Sequence, residues 1–70
     1  MRRFVLERTV DHSGVSGTGT VVDGVEFSNG QVVMQWRGPY PSVVIWPDLD
    51  MAMTVHGHGD DTRVRWLDPK

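Results

Sequence analysis

The chain has no cysteine. Disulfide stapling, cysteine-ligated zinc and thiol catalysis are therefore excluded. No apolar run approaches the roughly 18 residues that a membrane-spanning helix needs. Arg2 and Arg3 are not followed by the apolar segment of a secretory signal, so a cytoplasmic protein with no membrane contact is expected. An excess of positive charge is also missing. The formal net charge is −2, and the sequence pI is ≈ 5.8. There is no basic field to hold a phosphate backbone over a long footprint, which leaves room only for a local patch. Length sets the last bound. At 70 residues the chain is one small domain, residues 1–70, close to the lower limit of independent stability. Its stability has to come from three Trp, two Phe and many Val, or from self-association. A core of this size has no room for a deep catalytic cleft. These bounds favour a surface-binding module over an enzyme, with no cofactor.

What is present centres on residues 25–36, VEFSNGQVVMQW. Asn-Gly is the strongest short-range hairpin signal, because a two-residue type I′ turn needs positive φ at both central positions. With Asn29 and Gly30 as that turn, Val25 faces Met34 and Phe27 faces Val32. Val25, Phe27, Val32, Met34 and Trp36 then share one apolar face, while Glu26, Val33, Gln35 and Arg37 share the other. Such a sheet has one side in a core and one in water.

The rest of the chain reads as elements arranged around this hairpin. Residues 3–9 alternate as a first strand, with Phe4 and Leu6 on one side and Arg3, Val5 and Glu7 on the other. Residues 11–19 form a Gly- and Ser-rich loop. It lacks the Lys-Ser/Thr and following helix of a phosphate-binding loop, because Thr20-Val21-Val22 leads into a strand. That second strand, residues 18–27, is expected to bulge at Asp23-Gly24, which keeps Asp23 out of the core. Residues 31–37 are the third strand. Gly38-Pro39-Tyr40-Pro41-Ser42 is a connection, and residues 43–46 are a short, wholly apolar fourth strand. Asp48 is an N-cap for about two helical turns, with Asp50 in the first turn, Leu49, Ala52, Met53 and His56 on one face, and Gly57 at the end. Residues 62–67 are the last strand, with Val64 and Trp66 inward and Arg63, Arg65 and Leu67 outward. Four strands, a short helix and a fifth strand is the element order of a small SH3-like five-stranded barrel, mainly β. A curved sheet with one helix packed on it is the competing architecture.

Three segments also carry a resemblance: SGVSGTG at residues 13–19, GVEFSNGQVVMQW at 24–36 and HGHGDDTRVRW at 56–66. Together with the Pro41-Ser42 step, they resemble a family of short, functionally unassigned proteins of actinobacteria, their phages and some haloarchaea. The resemblance implies a small phage-associated protein and assigns no activity, substrate or catalytic residue.

Four features could carry function. His56-Gly57-His58, with His12, Asp60 and Asp61, has the residue types of a divalent metal site. The bland alternative is that His56 ends the helix, where partial positive charge is favourable. Asp48, Asp50, Asp60 and Asp61 with a histidine base offer acid–base chemistry, against a reading as caps and solvated turns. Trp36, Trp46 and Trp66 belong first to the core. Arg63 and Arg65 on the outer face of the last strand, with Arg37 near, could meet phosphate or an acidic protein surface. Tyr40 between two prolines is a stiff anchor that loses little entropy on binding. The reading that follows is a non-enzymatic protein-interaction module, phage or actinobacterial, binding through Tyr40, Arg37, Arg63 and Arg65. Its partner is another protein or a second copy of itself. Nucleic-acid binding through Arg63 and Arg65, and metal binding through His56 and His58, are the alternatives.

Overall fold

The computed structural model describes residues 1–9, 19–57 and 61–69. The elements run β1 (Arg2–Arg8), β2 (Gly19–Glu26), β3 (Val32–Trp36), β4 (Val43–Trp46), α1 (Leu49–His56) and β5 (Thr62–Trp66). Of the expected loop at 11–19, residues 11–18 lie outside the described residues, as do His12, His58 and Asp60, while Gly19 already opens β2. Among the described residues all strand pairs are antiparallel, and they form one sheet with the order β4-β3-β2-β1-β5. β4 and β5 are opposite edges and do not pair, so the closed barrel expected from element order does not form. The physical reason is α1. It lies on the apolar face, where Ala52 is fully buried among Phe4, Leu6, Val21, Val22, Val32 and Met34. The helix covers the face that closure would otherwise have to bury.

The hairpin forms with a different turn. The Phe27 N–H donates to Gln31 O at 2.8 Å, and the Gly30 N–H donates to Phe27 O at 2.9 Å. The loop is therefore the three residues Ser28, Asn29 and Gly30, with Gly30 in the left-handed region at φ 91. Asn29 Oδ1 accepts from the Gln31 N–H and tightens it. One extra loop residue slips β2 by one against β3: Val25 pairs with Val33, Gly24 with Met34 and Val22 with Trp36. β3 keeps its expected inward face of Val32, Met34 and Trp36, but β2 turns over. Val22 and Gly24 face the helix, while Val25 and Phe27 face away, and Phe27 is exposed.

That inversion removes the need for a bulge at Asp23-Gly24. Asp23 now points outward by plain alternation. The irregularity falls instead between Leu6 and Glu7 of β1, opposite Val21, because Leu6 pairs with Val22 and Glu7 with Thr20. Both Val21 and Val22 are then fully buried. Gly24 has a steric reason to be glycine. A Cβ there would collide with the Phe4 ring, which lies flush over the bare backbone. Phe4 in turn meets Trp66 edge-on, with ring centroids 5.3 Å apart.

α1 forms where the sequence places it. Asp48 has extended backbone, and its carboxylate accepts from the Met51 N–H at 2.8 Å. Asp50 lies in the first turn and His56 in the last, both favourable to the helix dipole. Gly57 closes the helix in right-handed conformation, donating to Met53 O at 2.8 Å. Glycine is required there by close approach: a Cβ would strike that same carbonyl.

Candidate binding surface

The inward residues of β1 are Arg2, Phe4, Leu6 and Arg8, an aliphatic–aromatic centre with a guanidinium at each end. Arg2 lies over the Trp66 ring at 3.7 Å from its centroid and faces Glu26 at 3.9 Å. Arg8 is 3% exposed. Its Nε donates to Thr62 Oγ1 at 3.0 Å, and its guanidinium stands 5.4 Å from the Trp36 ring. The His56 ring meets Trp36 and Trp46 edge-on, at 5.1 and 5.6 Å between centroids. The tryptophans thus divide between two ends of one core. His56 sits in an aromatic setting that holds the helix end, as the structural reading expects. Among the described residues no group of three or more His, Asp or Glu side chains is placed to hold a metal.

The outward arginines are mostly committed. Arg37 forms a fork with Asp23, at 2.8 and 2.7 Å. This hydrogen bonding holds the Asp23 carboxyl below its ordinary pKa and raises that of Arg37. Arg65 donates to Glu7 at 2.8 Å. Arg3 forks onto Asp68 at 3.0 and 2.8 Å and donates its backbone N–H to the same carboxylate, which holds Asp68 well below the usual carboxylate range. Arg63 stands opposite Glu7 in the β1–β5 register and is exposed. Arg37 does not join Arg63 and Arg65. β2 and β1 lie between them, so three strand spacings, about 14 Å, separate their strands.

Tyr40 is 74% exposed in the connection between β3 and β4. Gly38, at φ 112, allows the chain to reverse there. Beyond that connection lies a surface that sequence reasoning did not single out. On β4 the outward side chains Val43 and Ile45 are 59% and 62% exposed. Beside them an open depression of ≈ 360 Å³ is lined by Asp23, Gly24, Val25, Val33, Gln35 and Val43. A second depression of ≈ 500 Å³, lined among others by Arg2, Glu26, Asp48, Asp50 and Trp66, opens at the N-terminal end of α1. The signal for the β4 surface was present in the sequence. A strand apolar at every position is expected to be covered on both faces, yet this one is at an open edge.

Among the described residues the fold is an open antiparallel sheet backed by one short helix, with an apolar edge at β4 and outward arginines mostly tied to carboxylates. The model of the Acb5 phage protein family matches residues 1–68, and the chain belongs to that family. The phage association implied by the resemblance is thereby borne out. No curated protein and no solved structure matches the chain.

Proposed function

We propose that this phage accessory protein is an interaction module that catalyses no reaction and docks a protein partner along β4 and the adjoining outer face of the sheet. It acts in the cytoplasm of an actinobacterial host. The observation that carries the reading is the exposure of Val43 and Ile45 on the outward side of β4, with Tyr40 exposed in the connection that leads into it. Exposed apolar side chains grouped beside an open strand edge mark an interaction surface. Arg37 and Arg65 contribute by tying neighbouring strands together through Asp23 and Glu7, and Arg63, exposed on the outer face of β5, is offered to an acidic rim. Their engagement with carboxylates argues against a phosphate-binding stripe. Among the described residues no helix is long and apolar enough to cross a membrane.

The test is capture of partners from phage-infected host lysate with the intact chain and with Tyr40→Ala, Ile45→Lys and Arg63→Ala. Loss of the captured protein with Tyr40→Ala and Ile45→Lys is expected, with Arg63→Ala weaker. Undiminished recovery with all of them would overturn the reading. Recovery of nucleic acid whose binding falls steeply with salt would replace it with the phosphate reading.

A further inference from the structure

The register of β3 and β4 fixes which backbone groups of β4 are free for a partner. The Trp36 N–H donates to Ser42 O at 2.8 Å, so Ser42 and Trp36 are a hydrogen-bonded pair. Along an antiparallel ladder such pairs recur at every second residue. Ser42, Val44 and Trp46 therefore turn their N–H and C=O groups toward β3. Val43 and Ile45 turn theirs to the open edge, where no described strand pairs with β4. These same residues expose the apolar side chains.

We infer that the occupant of this edge is a second copy of the chain, paired β4 to β4 about a twofold axis with Val44 opposite the partner's Val44. The inference rests on the docking reading above and names its partner. In this register Val43 lies opposite the partner's Ile45. The two exchange both backbone hydrogen bonds, and the axis repeats the exchange. A shift of two residues in either direction would leave only one self-paired residue bonded across the axis. An odd shift would set apolar side chains against the wrong face.

Charge does not oppose the same arrangement. Antiparallel pairing sets the connection carrying Tyr40 beside the partner's Asp48 and Asp50 at the start of α1, so no like charges meet there, because the charge of Arg37 is already balanced by Asp23. β4 itself carries no charge to repel its copy, although the chain is net acidic. The contact is also self-limiting. Pro41 and Pro47 bracket the strand, so the ladder cannot extend past it. The twofold consumes the β4 edge and leaves β5, with its arginines, as the outer rim. The exposed apolar area of Tyr40, Val43 and Ile45 amounts to a few hundred Å² per copy, less than the roughly 800 Å² per partner of a standard stable interface. The dimer is accordingly a weak, concentration-dependent one.

Sedimentation equilibrium of the intact chain from micromolar to millimolar concentration is the test. A monomer–dimer equilibrium is expected, and Ile45→Lys should abolish it with an unchanged circular dichroism spectrum. The register has its own readout, because the chain has no cysteine. Val44→Cys places two thiols across a non-hydrogen-bonded pair, with Cα atoms about 4.5 Å apart, and should oxidise to a disulfide-linked dimer. Val43→Cys should not. A chain that stays monomeric throughout, or one that crosslinks through Val43→Cys and not Val44→Cys, overturns the inference. A monomer that still loses a captured lysate protein on Ile45→Lys overturns the second copy as partner and leaves the docking reading standing. If neither association nor capture responds, both fall.

Discussion

The two edges of the sheet are built to opposite rules. β5 alternates arginine outward with Val64 and Trp66 inward, and one of those arginines is tied to Glu7 of the neighbouring strand. β4 is apolar on both faces and carries no charge. Charged side chains on an edge strand repel further strands, whereas an apolar edge invites them. The molecule therefore has one closed side and one open side, although nothing in the backbone topology distinguishes them. The two edges also differ in anchoring. β5 pairs with β1, the most buried strand, and its Trp66 meets Phe4. β4 is held by its ladder to β3 and by Val44 and Trp46 under α1.

The largest expected effect breaks this comparison from the β5 side. Phe4→Ala removes the ring that lies over Gly24 and supports Trp66, at a cost of about 3–5 kcal/mol in chemical denaturation. Hydrogen exchange should rise in β5 before β4; equal rises at both edges would show that the anchoring does not differ. Next in size is a conversion of the closed edge. Arg63→Val with Arg65→Val gives β5 the character of β4, and the chain should then grow beyond dimers in light scattering. Unchanged particle size would mean that charge is not what keeps β5 closed. Third, Asp48→Ala deletes the cap on the Met51 N–H and should cost about 1 kcal/mol, read by thermal unfolding; no loss would show that β4 and the helix start are held otherwise.

The smallest effect concerns pH at the β5 end, where Asp68 follows the strand. The bonds from Arg3 lower the folded pKa of Asp68 below its unfolded value. The stabilisation is therefore present above the unfolded carboxylate pKa of about 4 and is lost only as pH falls through the folded value. An NMR titration should find the Asp68 midpoint well under the ordinary carboxylate value of about 4. A midpoint at that ordinary value would show that the Arg3 fork does not persist in water.

Much of the fold was legible in the sequence because most of its signals were local. The Asp48 cap, the Leu49, Ala52 and Met53 face, the proline-bounded β4 and the alternation of β1 and β5 each depend on a few neighbouring residues. The hairpin location was legible too, but its register was not. Asn29-Gly30 serves equally in a two-residue turn and as the end of a three-residue one. The choice between them lies in partners far along the chain: Phe4 needs a bare backbone at Gly24, and Arg37 needs Asp23 outward. The barrel expectation failed for a similar reason. Element order does not say whether the helix will fill the face that closure would bury. For the candidate site, Tyr40 is exposed as expected, while Arg37 and Arg65 were read without their carboxylates, which come from β2 and β1. The exposure of Val43 and Ile45 was missed because the sheet was taken to close, which would have covered the wholly apolar β4 on both faces.

The loop Ser28, Asn29, Gly30 has a consequence for chain length. Its count of residues decides which side of β2 faces the helix, so a one-residue deletion there is not a local event. It would turn Asp23 toward the core and Phe27 with it, and would set a side chain where the Phe4 ring now rests on Gly24. Relatives that keep this sheet must keep that loop at its present length. The connection through Tyr40 has no such constraint, because it joins strands whose register is already held by their own ladder. Changes of length should be rare at the first turn and tolerated at the second.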